Sequence, residues 1–334
     1  MSKHGVTPTT VETLSERFQV DIDVTVSSRM KNKVLRIFDM WYAVWKNRSK
    51  ADVVLIDTYS DSAFFYAKTC GKLCRVLNVP YIAFLHGGNL PKRFNSSPES
   101  SKKYLEGAQD IVSPSGYLKH AVDTHFGLDA NIIPNYIDIE NYPFKKVEDF
   151  SSINILWVRS FHQTYRPVMA VDLLSILRTK GFDARLTMIG PDKDGSMEET
   201  RKRSAELGLD SYLTITGRLS KKDWIALAAS HNVFLNTTSI DNTPVSVMEA
   251  MALGLPVITT KVGGIPHLFQ DGKEGIMVPD ATAERLADVV TSLSKSPQTV
   301  ASLSVAARKK AEEWDWSVVR KRWMDLFFKY IKNK

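Results

Sequence analysis

The 334-residue sequence is short of cysteine, long apolar runs and metal-ligand clusters, and each shortage removes a class of protein. Its only cysteines, Cys70 and Cys74, stand four apart, on one face of any helix that carries them. They are too few for a structural zinc site and too close for a framework disulfide, so they read as reduced core residues. No apolar run approaches the ~18 residues that a spanning helix needs. The opening Met1-Ser2-Lys3-His4-Gly5 lacks the apolar stretch of a secretory leader, so a cytoplasmic protein is expected. No cluster of His, Cys, Asp and Glu has metal-ligand spacing, and no metal is expected.

What is present is globular: 43% hydrophobic and 24% charged residues. The formal charge of +7 invites a nucleic-acid reading, but its distribution weakens it. Residues 307–334 hold nine Lys/Arg against four Asp/Glu, a net +5, and residues 1–306 carry the remaining +2. The excess belongs to the tail, no reading module is legible, and no nucleic-acid partner is expected.

Short β-branched runs alternate with longer segments of helical period. Strands are predicted at Asp52–Asp57, Pro80–His86, Asp110–Ser113 and Asn131–Pro134, then at Ile153–Val158, Arg185–Gly190, Tyr212–Thr216, Asn232–Asn236, Pro256–Thr260 and Gly275–Val278. Strands this apolar, separated by crossover-length segments, imply parallel sheets covered on both faces. Asp138–Ser152, polar and interrupted by Pro143, continues neither period and reads as the linker between two doubly wound domains. Such sheets bind ligands at the carboxyl ends of their strands.

The chemistry concentrates in Asn236–Pro266, NTTSIDNTPVSVMEAMALGLPVITTKVGGIP. A strand ends at Asn236, Asp241-Asn242-Thr243 offers capping oxygens, and Pro244 suits a first helical position. A helix over Pro244–Leu253 therefore points its unpaired amides and positive dipole end from the strand edge, an arrangement suited to a diphosphate. Glu249 shares a face with Val245 and Ser246 and can look toward the same ligand; alone, it also reads as a solvated helix glutamate.

Asp241, seven residues, Glu249, then Ala250-Met251-Ala252, Gly254-Leu255-Pro256-Val257 and Gly263-Gly264-Ile265-Pro266 resemble the donor-binding motif of the family 4 glycosyltransferases. The resemblance implies the GT-B fold: α/β, two facing Rossmann-like domains with parallel sheets and a C-terminal helix crossing back to the first. It divides the chain into an acceptor-side domain at 1–145, a donor domain at 146–312 and a basic aromatic helix at 313–334. It gives Asp241 the transferred sugar and Glu249 the ribose hydroxyls, with Asn242, Thr243, Pro244 and Val245 around the diphosphate. Arg159 and Arg166, in WVRSFHQTYRP after a strand, fall near the family's phosphate-binding cations, although each also reads as a surface-loop arginine. Thr216-Gly217-Arg218-Leu219 resembles the stretch facing the nucleotide base, with Gly217 and Leu219 as contacts. His86-Gly87-Gly88-Asn89 resembles the loop whose histidine sits near the reacting sugar.

Lys3-His4-Gly5-Val6-Thr7-Pro8 resembles the Gly-rich turn after the family's first strand, which makes Gly5 a nucleotide-side contact. Only two residues precede it, so the first strand is expected to be missing and the chain to begin late relative to the functional gene product.

The resemblance implies metal-independent, retaining transfer from a nucleoside-diphosphate sugar, UDP- or GDP-linked, to a glycan or lipid-linked acceptor, with no permanently bound cofactor. Asp241, His86 and Glu249 are the catalytic candidates. A GT-B sugar-nucleotide epimerase and a catalytically inactive binding subunit are the alternatives. In the tail, Trp316, Val319, Trp323, Leu326 and Tyr330 recur at three- and four-residue steps, a stripe for packing, while the basic faces suit anionic lipid. The expected location is cytoplasmic or peripheral at the inner face of a membrane.

Overall fold

The computed structural model describes residues 10–27, Met30 and 32–331, and the described chain forms two units. The first holds the described residues up to Ser113, residues 118–132 and the chain from Met324 onward; the second holds 114–117 and 133–323. Gly5 and the turn around it lie outside the described residues.

In the first unit, helices α1 (Thr10–Phe18) and α2 (Lys33–Asn47) precede β1 (Val54–Thr58), α3 (Phe64–Val76) and β2 (Tyr81–Leu85). Then come α4 (Leu90–Ser96), α5 (Pro98–Glu106), β3 (Asp110–Ser113), α6 (Gly116–Phe126) and β4 (Asn131–Ile132). The four strands lie in sequence order, all parallel. Every residue of β2 is buried, as a strand covered on both faces requires. Cys70 and Cys74 are buried on α3 as free thiols, and burial pushes each thiol pKa up to about 12.

In the second unit, β5 (Ile153–Val158), α7 (Pro167–Thr179), β6 (Ala184–Ile189), α8 (Ser196–Glu206) and β7 (Leu213–Gly217) lead to α9 (Lys221–Ala228), β8 (Val233–Asn236), α10 (Val245–Leu253), β9 (Val257–Thr260) and β10 (Ile276–Val278). Helices α11 (Ala283–Ser294) and α12 (Pro297–Glu312) follow, and α13 (Trp316–Phe328) begins in this unit and passes into the first at Met324. The six strands are parallel in the order β10-β9-β8-β5-β6-β7. This doubly wound order places β5 and β8 together at the centre, and the chain returns across the sheet after β7. The fold expectation holds: both units are Rossmann-like α/β layers, and all ten strands form within a few residues of their predicted ends.

Residues 138–152 contain one 3-10 turn, Ile139–Asn141, and otherwise no regular element, yet they belong to the second unit's core. Tyr142, Val147 and Phe150 are buried in it. Arg308 on α12 donates Nη1 to the carbonyls of Tyr142 and Ala252 at 2.7 and 2.8 Å, and Ser304 accepts from the Val147 amide at 2.9 Å. The second unit accordingly takes in this stretch and runs on from Ile133, ahead of the point where hydrophobic period resumes.

In the tail, Val319, Trp323 and Leu326 are buried. The helix ends at Phe328, so Tyr330 lies outside it; its hydroxyl donates to Asp110 of the first unit's β3. No described helix is long and apolar enough to cross a membrane.

The buried thiols make a direct check on the first unit. At pH 8 the folded chain should react with a disulfide reagent on the order of 10³-fold more slowly than the urea-unfolded chain, which should titrate both cysteines.

Candidate functional site

Strand β8 leaves the sheet at Asn236, and the loop 237–244 must cross its carboxyl edge with its polar backbone satisfied. Arg166 donates Nε to the Thr237 carbonyl at 2.8 Å and Nη2 to that of Thr238 at 2.9 Å. Ser239 donates its amide to the Thr164 carbonyl at 2.8 Å, and the Thr260 hydroxyl donates to the Thr238 carbonyl at 2.7 Å. Gly264 donates its amide to the Asp241 carbonyl at 2.8 Å. That last contact explains the Gly-Gly pair. A Cβ on Gly263 would stand 2.1 Å from the Asp241 carbonyl oxygen, and one on Gly264 would stand 2.0 Å from that of Asn242.

Arg159 continues β5, and its backbone is approached so closely by Gly190 that a Cβ there would lie 1.7 Å from the Arg159 carbonyl oxygen. The guanidinium lies over the Tyr165 ring, 4.4 Å from its centroid, and ion-pairs with Asp241. Burial lowers its pKa from the ordinary guanidinium value, which leaves it cationic near neutrality. The two residues expected at phosphate and sugar are thus brought together, on each other. Arg166 is engaged within the protein. It sits in the left-handed region (φ 47°) with two guanidinium nitrogens on backbone carbonyls, so it holds the 237–244 loop.

The helix predicted from Pro244 starts one residue later, because Pro244 is the cap at ψ 106°. None of Asp241, Asn242 or Thr243 caps it through a side chain: Asp241 accepts from the Asn242 amide at 2.9 Å, and the Asn242 side chain accepts from the Ser115 hydroxyl. The Asn242 amide is therefore not available to a ligand, and Pro244 has none. Val245 and Ser246 begin the helix, where amides have no intrahelical acceptor. Beside them the hydroxyls of Thr243 and Ser246 are buried with no hydrogen-bond partner. Ser246 escapes a motif reading because nothing in its spacing marks it.

Glu249 is 6% exposed, which overturns the solvated-helix reading. One carboxylate oxygen accepts from the Tyr142 hydroxyl at 2.7 Å and pairs with Lys221 Nζ at 2.7 Å. Burial and the neighbouring carboxylate push the Tyr142 phenol far above its ordinary pKa, so it remains a donor. Neither partner was legible as such: Tyr142 lies in the aperiodic stretch, and Lys221 opens α9 behind the Thr216–Leu219 loop. Gly217 ends β7 at φ +71°, with open space where a Cβ would stand, and Leu219 packs on the core.

In the first unit, His86 follows β2 and is buried, with Nε2 2.8 Å from Asp57 on β1. Its ring stacks on Tyr59 at 4.9 Å and meets Phe84 edge-on at 4.0 Å. A neutral imidazole donating Nε2–H to Asp57 keeps its lone pair on Nδ1, so the carboxylate selects tautomer and ring angle together. Asp57 was missed because it sits 29 residues upstream, and only the parallel pairing of β1 with β2 makes them neighbours.

Two parallel α/β units, one of them doubly wound and presenting a helix N-terminus flanked by buried hydroxyls, an Arg–Asp pair and a held glutamate, make an arrangement suited to a phosphorylated ligand. Residues 138–310 match the family of glycosyl transferases group 1, and the chain belongs to that family. It is 26% identical over 251 residues to the amylovoran biosynthesis glycosyltransferase AmsK of Erwinia amylovora, covering 71% of this chain and 61% of AmsK. It is 22% identical over 269 residues to the D-inositol 3-phosphate glycosyltransferase of Pseudarthrobacter chlorophenolicus, covering 74% and 64%. The chain thus spans about three fifths of these curated relatives. Among solved structures it shares its fold with Anabaena HepE bound to UDP-glucose (TM-score 0.74, 16% identity, 95% of this chain and 88% of HepE). It shares it also with sucrose-phosphate synthase from Thermosynechococcus elongatus (TM-score 0.73, 14% identity, 90% and 79%).

The contacts of Glu249 separate by burial. Tyr142→Phe removes a donor from a buried carboxylate and should lower unfolding free energy by about 1.5–3 kcal/mol, whereas Lys221→Ala, at an exposed side chain, should cost under about 1 kcal/mol; urea titration checks both.

Proposed function

We propose that the protein transfers a sugar from a nucleoside-diphosphate sugar to a glycan or lipid-linked acceptor, with retention and without metal. One observation carries this reading. At the N-terminus of α10, inside the segment that matches the family, the hydroxyls of Thr243 and Ser246 are buried without a partner beside amides that no helix carbonyl can reach. Those groups suit a diphosphate, whose oxygens accept and whose charge the helix dipole favours. Uridine is the base we favour over guanosine, because HepE, of the same fold, is described in complex with UDP and with UDP-glucose.

In this reading, bond cleavage at the anomeric carbon leaves negative charge on the departing diphosphate. The Val245 and Ser246 amides, the two hydroxyls and Arg159 stabilise that charge as it grows, and they do so without reorganising. Arg159 turns from Asp241 to the phosphates, and Asp241 is released to the sugar hydroxyls. Glu249, with one oxygen held by Tyr142 and Lys221, offers the other to the ribose diol. His86, oriented by Asp57, is the catalytic candidate of the first unit. Retention follows from attack on the face the diphosphate leaves. The acceptor class rests on AmsK, named for amylovoran biosynthesis, and the setting proposed is cytoplasmic.

The test is a thermal-shift panel of uridine, guanosine and adenosine diphosphates, followed by turnover of the matching sugars with and without acceptors. Stabilisation by UDP and acceptor-dependent release of UDP are expected. An epimeric sugar nucleotide formed without acceptor would support the epimerase, and binding without turnover the inactive subunit. Glu249→Gln and Arg159→Lys, which keep a partner for Tyr142 and for Asp241, should each lower transfer roughly 10²–10³-fold with the melting temperature nearly unchanged. Unchanged rates would remove that residue from the site.

A further inference from the structure

Exposed apolar side chains are ordinary when scattered, but in the first unit they are concentrated on one helix. Helix α2 buries Ile37 and Val44 on its inner face. On its outer face Val34, Leu35, Phe38, Tyr42 and Trp45 are each 52–61% exposed, and positions 34, 38, 42 and 45 follow the three- and four-residue steps of a single stripe. The aromatics are ordered: Phe38 meets Trp41 edge-on at 5.6 Å, and Tyr42 lies 6.1 Å from Trp45. Basic side chains flank them. Lys46 Nζ is 5.7 Å from the Tyr42 ring centroid, and the Arg48 guanidinium is 4.9 Å from that of Trp45. Across residues 33–50, Lys33, Arg36, Lys46, Arg48 and Lys50 stand against Asp39 alone, a net +4.

We propose that the outer face of α2 lies in the surface of an anionic phospholipid bilayer, with Phe38, Tyr42 and Trp45 at the level of the acyl boundary and the basic side chains at the phosphates. Charge decides between this occupant and a second copy of the chain. A symmetric dimer through α2 sets one +4 segment against another, whereas an anionic surface neutralises both the helix and its flank. Composition agrees: Trp and Tyr present an apolar body with a polar tip, and long basic side chains reach back to the head groups from a helix lying flat. Helix α13 cannot serve in this way through its own apolar stripe, because Val319, Trp323 and Leu326 are buried. An apolar membrane contact is thereby placed on the second helix, whereas the contact expected of the last helix was through its basic faces alone. The inference does not depend on the activity proposed above.

The test is sedimentation of the full chain with vesicles of phosphatidylglycerol and phosphatidylcholine in equal parts, beside phosphatidylcholine alone, at low and high salt. Binding to the anionic vesicles at low salt is expected, reduced by high salt and by omission of the anionic lipid. Phe38→Ser/Trp45→Ser and, separately, Lys46→Glu/Arg48→Glu/Lys50→Glu should each weaken it by about tenfold or more while leaving the circular dichroism spectrum and melting temperature unchanged. Absence of binding at low salt overturns the proposal. So does binding that survives both α2 variants but fails in Lys321→Glu/Arg322→Glu on α13, and so does a dimer, detected by sedimentation velocity and broken by the aromatic variant, in a chain that ignores vesicles.

Discussion

Eight residues, 237–244, carry the chain from the central strand β8 to helix α10, and their buried backbone has to find partners away from water. The rest of the candidate site depends on that requirement. Arg166 covers two of the carbonyls, Thr164 and Thr260 fasten the middle, and the glycines at 263 and 264 approach near enough to bond the end. Once the loop is held at these points, Pro244 can aim α10, Asp241 meets Arg159, and the hydroxyls of Thr243 and Ser246 are left beside the helix start. A charged side chain spent on backbone carbonyls is costly to leave unpaired, which is why Arg166 belongs to the scaffold of this loop, whereas Arg159 pairs with a side chain, Asp241.

A second constraint comes from α12. Arg308 ties the Tyr142 backbone to the end of α10, and Ser304 ties the Val147 amide and the Gly254 carbonyl. An aperiodic stretch becomes part of the core in this way, and its tyrosine reaches Glu249 on α10, the helix into which the 237–244 loop leads. The glutamate is therefore oriented from the far end of the unit, by contacts more than a hundred residues apart in the chain. Its second partner, Lys221, is exposed and adds little to stability.

The parts legible in the sequence are those governed by local period. Ile153–Val158 and Asp110–Ser113 form strands end for end as predicted, because an apolar β-branched run flanked by polar residues has few other ways to bury itself. The Asp241–Pro266 segment was readable because its glycines and prolines encode backbone geometry one residue at a time. The cap was misread at Pro244 because a helix start depends on ψ at a single residue, which composition does not set. Asp57 beside His86, and Tyr142 and Lys221 on Glu249, were not readable at all, since nothing in their spacing distinguishes them from solvated or core residues.

Two amphipathic helices draw the line most sharply. Helices α2 and α13 both carry aromatics at helical steps with basic residues between them, and the period of the tail predicted the apolar stripe of α13. Which stripe is covered was decided only when the chain folded: Trp323 is buried, and Trp45 is 52% exposed. The period of a helix states that a face must be removed from water, but the partner that removes it is a surface made elsewhere in the chain, and only tertiary packing supplies or withholds that surface.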